Sequence, residues 1–206
     1  MGLSIHYRGT LTDKRAIGRF IDEVEDIAKA MQWPCRVLDE DWSRPPDIQL
    51  EFHAPGQASL SGHAGLKGVS FSPHPQCETV TLFFNASCML TSPLAVAFSA
   101  EEGYPAQLDW QSVKTQYAGV ETHVAIVRLL RYLQGKYLHD LEVHDEGGYW
   151  ETNDLAALQA KLDFLGQVID ELGDRLENLE VSGDGKEDIV ARIEEVLREM
   201  KRKRRE

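Results

Sequence analysis

The stretch that decides the fold covers residues 119–152 and reads GVETHVAIVRLLRYLQGKYLHDLEVHDEGGYWET. In its first part, apolar residues recur at three- and four-residue steps, and the positions are Val124, Ile126, Val127, Leu129, Leu130, Leu133, Tyr137 and Leu138. Such a broad apolar face is typical of a helix that is buried against a sheet. Leu141 and Val143 then alternate with polar residues, which predicts a short strand directly after the helix.

Upstream of this stretch, the pattern is mostly that of strands. Leu3, Ile5 and Tyr7 alternate with polar residues and predict an opening strand. Apolar residues at helical spacing then predict a helix that ends before Trp33-Pro34, because proline disfavours the helical conformation of the residue before it. Further strands are predicted at 35–38, 48–52, 69–71, 80–84 and 94–98, and the glycine-rich segment 56–68 is interpreted as a surface loop.

This order of elements predicts an α+β fold for residues 1–152. Helices and hairpin strands that alternate in this way favour a mixed, largely antiparallel sheet with helices on one face. Residues 86–117 contribute little to this prediction, because glycine, proline and scattered polar residues interrupt the pattern there.

Residues 153–206 carry a different pattern, a narrow apolar stripe at alternating steps of three and four. Its members are Leu155, Leu158, Leu162, Leu165, Ile169, Leu172, Leu176 and Leu179, followed after a glycine-containing break by Ile189, Ile193, Val196 and Met200. Two such helices joined by a short turn predict an antiparallel helical hairpin. Because a heptad stripe needs a matching apolar surface, we expect these residues to form an interface, with either a second copy of the chain or a protein partner.

A first polar cluster, residues 114–123, leads into the apolar helix. Helix N-termini attract anions, so Lys114 and Thr115 are candidates to hold a carboxylate or phosphate. His123 falls in the first turns, where it could relay a proton. The alternative interpretation is a helix cap with a partly buried histidine, and the sequence leaves both open.

A second polar cluster follows the predicted strand at residues 144–151. Asp145 and Glu146 are candidate acids, bases or ligands, and Tyr149 and Trp150 are candidate pocket walls. The alternative is a glycine turn whose aromatic residues attach the C-terminal helices to the body. If the two clusters converge, they form one small-molecule pocket.

Motifs for metals, cofactors and common enzymes are not found in the sequence. His74 and Cys77, taken with His53 or His63, match no zinc spacing. The glycines around Lys67 lack the ending of a phosphate-binding loop, and no nucleophile elbow or dinucleotide fingerprint occurs. We therefore predict no metal, no cofactor and no standard catalytic machinery.

Charge and cysteine content limit the partners and the compartment. The formal net charge of −12 makes nucleic acid an unfavourable partner for the body. The basic residues within 198–205 are interpreted as complementing a helix C-terminus, with weak phosphate binding as the alternative. Three cysteines suit a reducing cytoplasm, and the sequence shows neither a secretory leader nor a stretch long enough to cross a bilayer.

Three short segments, Lys114–Gly119, Leu129–Leu133 and Asp145–Glu151, resemble a group of uncharacterised bacterial proteins over residues 1–165. The resemblance implies a bacterial, cytoplasmic protein and no particular activity. From the residues themselves, we expect a non-enzymatic interaction or regulatory protein that acts through its C-terminal helices. A small-molecule-binding protein or enzyme, with its pocket formed by segments 114–123 and 144–151, is the alternative.

Overall fold

A computed structural model of the chain describes residues 3–54, 57–99 and 110–177. The chain divides into two compact units, Met1–Gln159 and Ala160–Glu206. The predicted α+β class is confirmed, because helices and several antiparallel sheets occur together in the first unit. Among the described residues, none of the helices combines the length and the apolar character needed to cross a bilayer.

Nine strands and five helices follow one another in the described part of the chain. The strands are β1 Ser4–Arg8, β2 Cys35–Asp39, β3 Gln49–Ala54, β4 Gln57–Ser61, β5 Lys67–Phe71, β6 Val80–Phe84, β7 Leu90–Thr91, β8 Gln111–Lys114 and β9 Glu142–Asp145. The helices are α1 Ile17–Ala30, which follows a 3-10 turn at Lys14–Ala16, then α2 Pro93–Phe98, α3 Gly119–Lys136, α4 Tyr149–Thr152 and α5 Leu155–Glu177.

The described strands form three antiparallel sheets rather than the one mixed sheet predicted. The first sheet has the order β8-β1-β9, the second β2-β5-β6-β7, and the third is the hairpin of β3 and β4. The opening strand pairs with two strands that lie far along the chain, whereas residues 35–91 supply the second and third sheets among themselves. Alternation predicts that a segment is a strand, but it does not predict which strands pair.

Aromatic residues connect the first sheet, α1 and the C-terminal end of α3 to the second sheet. The Tyr7 hydroxyl donates to the Thr81 carbonyl at 2.9 Å and accepts from the Thr81 amide at 3.1 Å. Burial raises the pKa of Tyr7, so this hydroxyl keeps its proton. Phe20 of α1 packs edge-on against Phe84 and Tyr137, with ring centroids 5.0 and 5.4 Å apart. The core therefore includes the opening strand, α1 and the residue that follows α3.

Two local predictions are wrong. The segment 56–68 is not a surface loop throughout, because it contains β4 and the buried residues Ala64 and Leu66, which pack on Phe83. Residues 94–98 form α2, a helix, instead of a strand. The Ser92 side chain accepts a hydrogen bond from the Ala95 amide and Pro93 opens the helix, a start signal that the apolar run obscured.

The first helix of the predicted hairpin corresponds to α5. The predicted turn and the predicted second helix, with Leu179, Ile189, Ile193, Val196 and Met200, lie outside the described residues.

Candidate functional site

The two predicted polar clusters meet at one end of the first sheet, where β8 and β9 both terminate. β8 and β9 both run antiparallel to β1, and the register pairs Ser4 with Lys114 and Ile5 with Asp145. Because both strands run antiparallel to β1, β8 and β9 terminate at the same end of the sheet. The chain leaves β8 through a short turn into α3, and this turn brings His123 back over that end.

Thr115, His123 and Asp145 form a continuous buried chain of polar contacts. The Thr115 Oγ1 and His123 Nδ1 atoms lie 2.7 Å apart, and His123 Nε2 lies 3.0 Å from Asp145 Oδ1. Residue exposure is 0% for Thr115 and His123 and 5% for Asp145. Candidate residues from the two predicted clusters are thus in contact, with His123 between Thr115 and Asp145.

Backbone amides complete the environment of the Asp145 carboxylate. Oδ1 accepts a hydrogen bond from the Gly147 amide at 2.7 Å, and Oδ2 accepts one from the Trp150 amide at 2.9 Å. Asp145 therefore closes the turn after β9 and binds the start of α4. A carboxylate in a turn commonly caps the amides that follow it, and here the turn is buried as well.

The electrostatic balance at Asp145 favours the charged carboxylate. Burial raises its pKa, but the His123 imidazole and the two amides outweigh burial, so the pKa of Asp145 is held below its usual value. The His123 Nε2 atom has no partner of good hydrogen-bond geometry, so its contact with Oδ1 is a close approach without the alignment of a hydrogen bond.

The contacts of the His123 ring indicate that its Nε2 atom carries a hydrogen, whichever way the Thr115 hydroxyl points. The Thr115 hydroxyl lies 2.7 Å from His123 Nδ1 and 3.3 Å from the Leu3 carbonyl, and it can donate to either. In the first case the histidine is neutral, and in the second it is an imidazolium ion. In both cases Nε2 carries a hydrogen, since a bare ring nitrogen would face the negative Asp145 oxygen.

The order hydroxyl, imidazole, carboxylate is also that of a nucleophile with its base and its orienting group. A nucleophile must reach a substrate carbonyl, however, and the Thr115 side chain is fully buried between the Leu3 carbonyl and the histidine ring. As it stands, the arrangement holds β1, β8, α3, β9 and α4 together and presents no reactive atom to solvent.

Gly147 leaves room for close packing over the buried polar residues. A Cβ atom at this position would lie 2.8 Å from Leu158 Cδ1, 2.9 Å from Asp145 Oδ1 and 3.0 Å from His123 Cε1. The absence of a side chain therefore lets the first turns of α5 approach the buried pair, and Leu158 is fully buried as a result. The glycine of the predicted turn is needed for close packing rather than for access of a ligand.

The side chains of the other four predicted site residues do not converge with these three, although the Trp150 amide does bind Asp145. Lys114 is half-buried, with its ammonium group 5.4 Å from the Tyr117 ring, and Glu146 is exposed in the turn after β9. Tyr149 is buried, whereas Trp150 is half-buried beneath the Arg131 guanidinium at 5.3 Å. Segments 114–123 and 144–151 meet, but around a packed interior.

The predicted interface residues of α5 fall into three groups. Leu158 and Leu162 are buried, and Leu165 is half-buried. Leu155 and Ile169 are exposed, at 52% and 37%. Leu172 and Leu176 lie within the bounds of α5, and their side chains are not among those described.

Two features were missed by the sequence analysis. A groove of about 980 Å³ lies between α1 and α3, and the Glu23 carboxylate on its wall binds Lys136, Tyr132 and Tyr137. On the solvent face of the first sheet, His6 of β1 lies directly opposite His144 of β9. Their alternation with apolar residues predicted that they face outward, but only the pairing of β1 with β9 brings them together.

In the part of the chain that the structure describes, no group of three or more His, Cys, Asp or Glu side chains could hold a metal ion. Comparison with protein-family models, with curated proteins and with solved structures finds no match to the chain. The candidate site is therefore characterised by its own geometry.

Proposed function

We propose that the protein is a non-enzymatic interaction or regulatory protein of the cytoplasm, which self-associates through the apolar stripe of its C-terminal helices. In this proposal residues 153–206 form an antiparallel helical hairpin. The observation that carries the proposal is the exposure of large apolar side chains of the stripe, where Leu155 and Ile169 are 52% and 37% exposed.

The length of α5 supports the proposal. The helix spans Leu155–Glu177, and at about 1.5 Å per residue it is long enough for three heptads. Leucine at a/d spacing over that length favours packing against another helix more than an ordinary amphipathic face does. Gly166 and Gly173 each cost about 1 kcal/mol relative to alanine, so tertiary or intermolecular packing has to stabilise this helix.

A pair of charge-matched variants tests self-association. Ile169→Glu places a carboxylate on the apolar stripe, and Gln167→Glu places the same charge on the same helix, two residues away and off the stripe. We expect sedimentation velocity of the full-length chain to show a dimer or higher oligomer at micromolar concentration. Ile169→Glu should convert it to monomer, because a charge in the seam loses its water without gaining a partner.

Gln167→Glu should leave the oligomer unchanged, since its side chain stays in solvent. A wild-type chain that sediments as a monomer contradicts self-association. An oligomer that both variants leave intact contradicts the assignment of the interface to this stripe.

The alternative function, a small-molecule site formed by segments 114–123 and 144–151, is favoured by the direct contact between His123 and Asp145. For this function the buried chain of contacts has to open and admit a ligand. Local opening would expose the Gly147 and Trp150 amides, which donate to Asp145. Hydrogen exchange measures this, because amides that exchange through local opening do so at a lower free energy than global unfolding. If these amides exchange only at the free energy of global unfolding, the small-molecule site is contradicted.

A further inference from the structure

The groove of about 980 Å³ between α1 and α3 is long enough to hold several turns of a helix. At one end, Glu23 of α1 binds Lys136 in the last turn of α3, and Arg19 adds a positive charge one turn earlier on α1. From there the lining continues along α1 as far as Met31, the residue after the helix. At 1.5 Å per residue, Arg19 and Met31 lie about 18 Å apart along the helix axis, which is about three turns.

The floor of the groove is apolar. Ala30 of α1 and Ala125 of α3 both line it, and their short side chains allow the axis of a third helix to come close. Met31 and Tyr132 also line the groove and are 51% and 44% exposed. Methionine adapts its shape to different partners. An exposed apolar channel between two helices suits the apolar face of an amphipathic helix.

The two walls of the groove carry opposite charges. Asp22 and Asp26 are exposed and lie one turn apart on α1, whereas Arg128 is exposed on α3. Small-molecule pockets hold their ligand with a few convergent polar groups. Here the carboxylates instead repeat at the spacing of one helical turn, which matches cationic side chains at i and i+4 of another helix.

We propose that this groove binds one amphipathic α-helix of a protein partner, with lysine or arginine on the flank that faces α1 and an acidic residue on the flank that faces α3. Apolar side chains at i, i+3, i+4 and i+7 of the partner pack on the floor. The lining residues belong to α1, α3 and the residues that follow each of these helices. The proposal therefore does not depend on self-association through α5.

A labelled synthetic peptide of about 16 residues, long enough to span the groove, tests the proposal. It carries leucine at the four apolar positions, lysine along one flank and glutamate along the other. Fluorescence anisotropy with the full-length chain should show saturable binding of one peptide per chain. Ala125→Glu places a carboxylate on the floor and should weaken binding at least about tenfold, because the docked helix buries that charge.

Gly135→Glu is the matched control for Ala125→Glu. It adds the same side chain to an exposed position of the same helix, outside the groove, where a Cβ atom meets nothing within 4 Å. This variant should bind the peptide as wild type does. Circular dichroism of each variant verifies that the fold is intact.

A second peptide, with glutamate on both flanks, tests the charge assignment. Wild type should bind it about fivefold more weakly than the first, because Asp22 and Asp26 repel it. The double variant Asp22→Lys, Asp26→Lys should reverse this preference. Glu25→Lys, Glu121→Lys makes the same change in net charge outside the groove and should not reverse it.

Three results would overturn the proposal. The first is that wild type shows no saturable binding of the first peptide, or that Ala125→Glu and Gly135→Glu bind it equally well. The second is a preference between the peptides that Asp22→Lys, Asp26→Lys fails to reverse. The third is that Ala125→Glu dissociates an oligomer of the chain, which would show that a second copy, and not a partner helix, fills the groove.

Discussion

At the scale of single residues, the pair formed by His123 and Asp145 has the largest energetic consequences. Both side chains are fully removed from water, and they lie 3.0 Å apart. A buried ion pair contributes little net stability, because desolvation offsets the attraction, but the removal of one partner leaves an uncompensated buried group. The amides of Gly147 and Trp150 donate two further hydrogen bonds to Asp145, one to each oxygen. Accepting both requires the two acceptor oxygens of a carboxylate.

Asp145→Asn should therefore lower the free energy of unfolding by about 3 kcal/mol. The asparagine side chain carries no charge, and its NH2 group would face a backbone amide that is itself a hydrogen-bond donor. Glu142→Gln on the same strand is the control. It breaks the exposed pair with Arg8 and should cost about 1 kcal/mol or less. Urea unfolding at neutral pH measures both values. Equal costs for the two variants would show that the buried pair has no special role.

The acid dependence of stability follows from the lowered pKa of Asp145. A carboxyl group whose pKa is lower in the folded than in the unfolded chain stabilises the fold above its unfolded pKa, which is about 3.9 for aspartate. This contribution is lost as the pH falls through the folded pKa. Urea titrations from pH 7 to pH 3 should show the difference between wild type and Asp145→Asn shrinking below about pH 4. A constant difference across that range would contradict the assignment.

At the scale of elements, the second sheet depends on a glycine in its interior. Gly68 lies in β5, where it pairs with Leu38 of β2 on one side and with Phe83 of β6 on the other. Its φ of +150° is one that residues with a side chain rarely adopt, and a Cβ atom would lie 2.0 Å from the Leu82 carbonyl oxygen. The backbone of β6 occupies the space that any other residue would need.

Gly68→Ala should lower the free energy of unfolding by about 2–3 kcal/mol, through backbone strain and displacement of β6. Gly135→Ala makes the same chemical change in α3, where a Cβ atom meets nothing within 4 Å. That variant should raise the free energy of unfolding by up to about 1 kcal/mol, because alanine favours the helix. Thermal and urea unfolding distinguish the two. Two shifts of the same sign would show that the close approach to Leu82 does not matter.

At the scale of the whole first unit, a surface cluster ties α1 to the end of α3. Both oxygens of Glu23 accept from the Lys136 ammonium group, at 2.7 and 2.6 Å, and the Tyr132 and Tyr137 hydroxyls also donate to this carboxylate. One α1 carboxylate thus binds three donors, two in the last turns of α3 and one on the residue that follows it. The cluster forms one wall of the groove between the two helices.

Glu23→Gln should destabilise the first unit by about 1 kcal/mol, a value reduced from that of a buried charged hydrogen bond because the cluster is partly solvated. Glu25→Gln removes an exposed ion pair with Lys29 on the same helix and should have a smaller effect. Differential scanning calorimetry of the two variants measures the difference. A larger loss in Glu25→Gln would place the link between α1 and α3 elsewhere.

The sequence predicted local elements more successfully than their partners. Periodicity located α1, α3, β1, β2, β5, β6 and β9 closely, because it reflects which side chains of a segment face the interior. It failed at residues 94–98, where the signal of Ser92 and Pro93 competed with an apolar run, and at 57–66, where glycines and polar residues concealed β4 and a buried turn.

For the candidate site, the sequence identified Thr115, His123 and Asp145 as candidate residues. It offered a shared pocket of segments 114–123 and 144–151 as one of two interpretations. It placed them in an open pocket, whereas they are enclosed. Their burial depends on Leu158 packing over Gly147, a contact between different elements. No pattern within either segment carries that information, because an aspartate in a glycine turn has the same local sequence whether water or a leucine lies above it.

The sequence by itself determined the α+β composition of the first unit, the outward positions of His6 and His144, and the apolar stripe of α5. Each of these follows from the spacing of side chains along one segment. Only the tertiary structure decided that β1 lies between β8 and β9, that the strands form three separate sheets, and that His123 pairs with Asp145. Those arrangements depend on backbone hydrogen bonds and packing between residues far apart in the chain, which local periodicity does not encode.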